Sequence, residues 1–223
     1  LPIYEQANWF ADGERFNLPD DFYSSRFLVD KIIEFIDSNP SSEAPFFAYL
    51  PFQAVHIPVQ APQSFIDRYK GVYDDGWEVL RTKRYEAAQA LGLLPENSAM
   101  EPMASTESWQ NLEPETKRYQ AKRMEVYAAM VEAMDFHTGR LIQHLKNTGH
   151  YENTIFIFAS DNGSEGSGAG VESSPANNLM LSLMDYNDDY ETLGLKGSYG
   201  TIGPNFASAA ASPLGYYKFY VGE

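Results

Sequence analysis

Four side chains in this sequence have types and settings suited to chemistry on a charged substrate. Asp161 and Asn162 stand together ahead of Gly163, directly after the apolar run Thr154-Ile155-Phe156-Ile157-Phe158-Ala159-Ser160. A carboxylate beside an amide carbonyl offers two hard oxygen donors of the kind calcium or magnesium takes. The glycine lets the chain turn away at once. The same three residues also make an ordinary turn. His56 lies in a loop punctuated by Pro51, Pro58 and Pro62, just beyond the apolar run Pro45-Phe46-Phe47-Ala48-Tyr49-Leu50. An imidazole held in such a loop can give a proton to a leaving group; the plainer alternative is a part-buried structural histidine. Lys218 sits in Tyr216-Tyr217-Lys218-Phe219-Tyr220, and after Lys146 the only other Lys or Arg is Lys196. A lysine in so acidic a region can hold an anion as a compact point charge. The commoner alternative is a surface lysine that lays its stem along aromatic rings.

Other candidates carry less. His137, His144 and His150 fall on or just after a long helical pattern, where structural roles are expected. The acidic run Asp185, Asp188, Asp189 and Glu191 lacks the spacing and glycine of an EF-hand loop and reads as solvated chain. No nucleophile elbow of the Gly-x-Ser-x-Gly type, no His-Glu-x-x-His, no P-loop and no Gly-x-Gly-x-x-Gly is present. Gly163 to Gly170 is glycine-rich, but Glu165 in its midst would repel a phosphate.

Ordered elements must position these residues. A helix is expected after Asp20-Asp21, whose carboxylates suit an N-cap, with Leu28, Ile32, Phe35 and Ile36 at helical spacing and Asn39-Pro40 as its stop. The runs at 45–50 and 154–159 read as buried strands. Residues 77–92 and 115–147 read as helices, the second with Tyr127, Met130, Met134, Leu141 and Leu145 along one face and Gly149 at its end. A helical and loop excursion occupies about 63–113, and a Gly/Ser-rich loop about 163–212. Alternating helix and buried strand points to an α/β fold with helical cover.

Composition narrows the function. The chain has 223 residues, 43% of them hydrophobic and 14% aromatic, enough for a sizeable core and against wholesale disorder. With 16 Lys and Arg against 31 Asp and Glu, the net charge of -15 argues against a nucleic-acid partner. The acid excess sits at the two ends, and the middle is nearly balanced. The absence of cysteine excludes disulfides, thiolate metal sites and a cysteine nucleophile within these residues. No apolar run approaches the roughly 20 residues a membrane helix needs.

Taken in order, these segments resemble the type I sulfatases of the alkaline phosphatase-like superfamily, most closely the bacterial arylsulfatases. The resemblance rests on Pro45 to Leu50 leading to His56-Ile57-Pro58 and Ala61-Pro62, on Tyr73-Asp74-Asp75-Gly76-Trp77 with Leu80-Arg81, and on the helix Met124 to Asp135. It continues through Phe158-Ala159-Ser160-Asp161-Asn162-Gly163 and Tyr217-Lys218 followed by Glu223. It implies a mixed sheet flanked by helices, with residues 1–223 forming part of a single catalytic domain. It implies a sulfuric ester hydrolase acting on a small sulfate ester, with Asp161 and Asn162 as calcium ligands. His56 would bind the substrate near its bridging oxygen and help protonate the leaving group, and Lys218 would hold a sulfate oxygen. A periplasmic or secreted location also comes with the resemblance.

The sequence departs from the family pattern as well. The family's nucleophile is formylglycine, made from the first residue of a Cys/Ser-x-Pro-x-Arg motif that these residues lack; Ser173-Ser174-Pro175 has neither the spacing nor the arginine. The family's paired N-terminal aspartates and its Lys-x-His segment are also missing. The chain is therefore expected to be a central segment of a longer enzyme, inactive alone. Two alternatives are a noncatalytic module that keeps a metal or anion pocket, and a phosphonate or phosphate monoester hydrolase of the same superfamily.

Overall fold

A computed structural model describes residues 7–38, 44–104, 107–167, 179 and 181–220. The chain opens with an antiparallel hairpin, β1 (Trp9–Ala11) and β2 (Glu14–Phe16), in the register Trp9 with Phe16 and Ala11 with Glu14. Asp12 and Gly13 connect the strands with φ of 52° and 84°. Two consecutive positive φ values make the turn whose twist matches a tight hairpin, and Asp-Gly tolerates them.

Helix α1 (Ser24–Asp37) follows. Its N-cap position is Tyr23, with no side-chain cap, so the expected aspartate cap is not formed. Asp21 instead pairs with Arg26 at 2.8 Å, which draws its carboxylate away from the first-turn N–H groups. Asn39-Pro40, the expected stop, lies outside the described residues. The hairpin rests on α1 and the residues just before it through aromatic rings, Phe16 against Phe27 at 5.7 Å and Trp9 against Phe22 at 5.4 Å.

A short helix α2 (Gln63–Ile66) follows the His56 loop, then α3 (Trp77–Ala90) and the long α4 (Pro114–Asn147). Pro114 opens α4, where its missing N–H costs nothing and its fixed φ is already helical. The expected apolar stripe is partly realised: Met130 and Leu145 are buried, and Tyr127, Met134 and Leu141 half-buried. Helix α1 packs on α4, with Arg140 paired to Asp30 at 2.6 Å and His144 to Asp37 at 2.9 Å. A last helix, α5 (Gly203–Ala210), stands in the stretch expected to be loop. Pro204 starts it, its alanines favour it, and Phe206 and Ala207 are fully buried.

Two cores result. In one, Val59, Ala61, Phe65 and Ile66 meet Val126, Ala129, Met130 and Ala133 of α4. In the other, Trp77, Trp109 and Phe206 meet edge to face, with ring centroids 4.9 to 5.9 Å apart. Gly76 is required beside it: its φ is 86°, and a Cβ there would stand 2.2 Å from the Trp109 ring.

The two expected buried strands are a correction. Residues 45–50 and 154–159 pair with no strand among the described residues, and the only sheet there is the β1–β2 hairpin. Ile155 and Ile157 are 89% and 90% exposed. The sequence pattern asks for partner strands on either side, and these residues provide none. A mixed central sheet is therefore not seen in the described residues.

Candidate functional site

His56 and Lys218 lie 162 positions apart in sequence, and Lys218 Nζ stands 3.3 Å from His56 Nε2. Three sets of contacts produce this meeting. The first holds the His56 loop. The backbone N–H groups of Val59 and Ala61 donate to Gly200 and Gly194, and Gln60 Nε2 donates to the Ser198 carbonyl at 2.7 Å. The loop is thus fastened to residues 194–200. The His56 N–H closes a turn onto the Gln53 carbonyl, and the Ile57–Pro58 bond is cis.

Arg81 on α3 makes the second set. Buried at 3% exposure, it donates to the carbonyls of Ser208 at 3.0 Å and Leu214 at 2.7 Å, and also to those of Glu101 and Pro213. Four carbonyls around one guanidinium pin the chain between α5 and Tyr216, and so fix where Lys218 begins. The third set joins Lys218 to the segment after Gly163. Its N–H donates to the Ser164 carbonyl at 3.0 Å, and the Ser164 hydroxyl donates to the Ala207 carbonyl of α5 at 2.8 Å. A Cβ on Gly166 would lie 2.2 Å from the Tyr217 ring, so only glycine lets the two segments lie this close.

A third ionisable group completes the cluster. Glu165 is 7% exposed, and its Oε2 lies 3.1 Å from Lys218 Nζ. Its Oε1 accepts the Ser167 N–H at 2.8 Å. Burial opposes ionisation of this carboxyl, but the hydrogen bonds from Ser167 and Lys218 outweigh it and hold Glu165 below the usual carboxylate range. From sequence alone Glu165 stands out only as a charge that would repel a phosphate.

His56 is exposed, and its Nδ1 lies 2.9 Å from the Ile57 carbonyl. A carbonyl only accepts, so Nδ1 carries the proton and Nε2 presents its lone pair to the Lys218 ammonium. Asp161 and Asn162 are exposed at the start of the segment that leads to Glu165. The Ser160 hydroxyl donates to the Asn162 carbonyl at 2.7 Å. A Cβ on Gly163 would lie 3.1 Å from the Lys218 nitrogen, so the end of this turn runs beside Tyr217 and Lys218. The donor type suits calcium, but calcium takes 6–8 oxygens. Among the described residues no group of three or more His, Cys, Asp or Glu gathers as a metal site.

The remaining histidines have structural surroundings. His137 is buried between Tyr23 and Phe136, with Arg140 Nη1 3.1 Å from its Nδ1. His144 bridges to α1. His150 sits edge-on to Phe46 at 6.2 Å. Ser173-Ser174-Pro175 lies outside the described residues.

The sulfatase family model matches residues 4–192 of the chain. The chain belongs to the sulfatase family. Among curated sulfatases it is 41% identical over 205 residues to an uncharacterized sulfatase of Schizosaccharomyces pombe, a match covering 91% of this chain and 36% of that protein. It is 37% identical over 207 residues to an arylsulfatase of Klebsiella aerogenes, covering 92% of this chain and 43% of that one. A sulfatase of Formosa agariphila is 27% identical over 159 residues, covering 70% and 28%. The chain thus spans less than half the length of these sulfatases. No helix among its described residues is long and apolar enough to cross a membrane.

Proposed function

We propose that these residues form the sulfate-binding corner of a sulfuric ester hydrolase of arylsulfatase type, whose formylglycine nucleophile lies outside them. The observation that carries this reading is the meeting of Lys218 Nζ and His56 Nε2 at 3.3 Å beside the Asp161-Asn162-Gly163 turn.

A sulfate ester spreads negative charge over its nonbridging oxygens, and attack at sulfur releases an alkoxide or phenoxide. Lys218 meets the first need: its ammonium can hold a nonbridging oxygen and offset that charge. His56 meets the second. In the resting arrangement its Nε2 is occupied by a hydrogen bond from Lys218. When a sulfate oxygen takes that hydrogen bond, the Nε2 lone pair is free to take a proton from water, and the imidazolium so formed, its Nδ1–H still on the Ile57 carbonyl, gives the Nε2 proton to the bridging oxygen. The Ile57 carbonyl on Nδ1 keeps the ring oriented throughout. Asp161 and Asn162 would hold a calcium ion with further ligands from outside these residues. Calcium, when bound, supplies a second positive charge to the nonbridging oxygens.

The test compares a protein that carries these residues together with its nucleophile against the 223-residue chain alone. The first is expected to hydrolyse an aryl sulfate faster than a phosphodiester or a phosphonate. The second is expected to be inactive. Preference for a phosphonate or phosphate would move the assignment to another hydrolase of the superfamily. Turnover by the chain alone would refute the placement of the nucleophile. Asp161→Ala and Asn162→Ala are expected to lower bound calcium and activity together, and unchanged calcium content in both would remove the ligand assignment.

A further inference from the structure

We infer that Glu165 is a positioning residue for Lys218: it holds the ammonium at the point where it meets both His56 and a sulfate oxygen. The inference deepens the sulfatase reading and rests on it, since it needs Lys218 to act on substrate.

The geometry carries the case. A lysine has a flexible four-carbon stem and three donors that rotate freely, so an unheld lysine at a site edge samples many positions. Lys218 is held at both ends. Its backbone is fastened to Ser164 at 3.0 Å, and its Nζ to Glu165 at 3.1 Å, one residue further along the same segment. Glu165 is itself anchored, because its second oxygen accepts the Ser167 N–H at 2.8 Å. Gly166 lies flush on the Tyr217 ring, which keeps segments 164–167 and 217–218 in register. The carboxylate is buried and the ammonium only half-buried. Glu165 thus works from the protein side and leaves the open face of Lys218 to His56 and to solvent. A sulfate oxygen arriving there meets a cation already aimed.

Burying a carboxylate beside an anion-binding site works against the site's own charge. Such a group persists only where another effect outweighs the loss. Here that effect is pre-organisation: the cost of immobilising a rotamer-rich side chain is met before the anion arrives. It also separates the role of Glu165 from that of a surface ion pair, which contributes little.

The experiment uses the active protein that contains these residues, with an aryl sulfate as substrate and inorganic sulfate as inhibitor. Glu165→Gln keeps the shape and removes the charge. It is expected to lower kcat/KM about tenfold, the scale of one charge-assisted hydrogen bond, and to weaken inhibition by sulfate in parallel. Glu165→Asp keeps the charge and is expected to recover part of the loss. Lys218→Ala is expected to cost more than either. The double variant Glu165→Gln/Lys218→Ala is expected to be no worse than Lys218→Ala, because Glu165 acts through that lysine. Additive losses in the double variant would overturn the inference and make Glu165 a structural residue. A Glu165→Gln protein with full activity, alongside an impaired Lys218→Ala, would also overturn it while leaving the sulfatase reading intact. Full activity in Lys218→Ala would remove both the inference and the substrate role of Lys218 on which it rests. Should Glu165→Gln fold poorly, the His56 side-chain nitrogen resonances of Glu165→Asp provide a second measurement. The Nε2 signal is expected to move toward that of an unbonded imidazole nitrogen, and an unmoved signal would contradict the inference.

Discussion

The aromatic cluster of Trp77 on α3, Phe206 on α5 and Trp109 between α3 and α4, and the extended runs at 45–50 and 154–159, are both rich in apolar side chains but have very different surroundings. Trp77, Trp109 and Phe206 are almost wholly buried, whereas Phe47, Ile155 and Ile157 stand about nine-tenths exposed. The difference lies in how each kind of element satisfies its backbone. A helix closes its own hydrogen bonds and needs only one apolar face covered, which α3, α4 and α5 do for one another. A strand leaves its N–H and C=O groups to its neighbours, and these two runs have no neighbouring strand among the described residues. The site straddles the contrast: Lys218 is fixed from the helical side through Arg81 and α5, while His56 and Asp161 follow the two uncovered runs.

The comparison breaks most readily at Phe206. Phe206→Ala leaves a cavity among two tryptophans and is expected to cost about 3–5 kcal/mol of stability, read as a lower thermal or urea midpoint. A loss under about 1 kcal/mol would mean that the cluster is not the centre of a core.

The α1–α4 contact gives a smaller, pH-dependent effect. Burial, and then the neighbouring Arg140, hold His137 below its ordinary value of 6.5. The unfolded chain therefore takes up the proton more readily than the folded one. The contribution is intact above about 6.5 and is lost as the pH falls from there through the lowered folded-state value. His137→Gln is expected to flatten stability against pH over this window. An unchanged slope would show that His137 is solvated.

The smallest effect is expected on the other side of the comparison. Ile157→Ala should change the stability of this chain by no more than about 0.5 kcal/mol, and the amides of 155–158 should exchange much faster than those of 126–133 in α4. A cost of several kcal/mol would show that the run is covered in solution.

Much of the helical frame was legible in the sequence. The long helix is expected over 115–147 and found over Pro114–Asn147, and α3 was expected over 77–92 and found over Trp77–Ala90. Apolar period and punctuation by Pro and Gly are local signals, and these elements obey them. Helix α5 escaped because Gly, Ser and Asn around it read as loop, although Pro204 and the run of alanines marked it. The hairpin escaped although Asp12-Gly13 is a strong turn signal. The two runs of strand type show the limit most clearly, since burial depends on partners that a local pattern does not supply. At the site, His56, Lys218, Asp161 and Asn162 came from their settings and the family resemblance. Glu165 did not, because its partner lies 53 positions away and nothing local marks the pair.

The most direct test of the central claim is hydrolysis of an aryl sulfate by the active protein that contains these residues, with and without Lys218→Ala. The sulfate-binding role of Lys218 predicts that the variant stays folded while kcat/KM falls by about a hundredfold, on the order of removing one preorganised contact to the developing charge. A folded Lys218→Ala protein with full activity would contradict it.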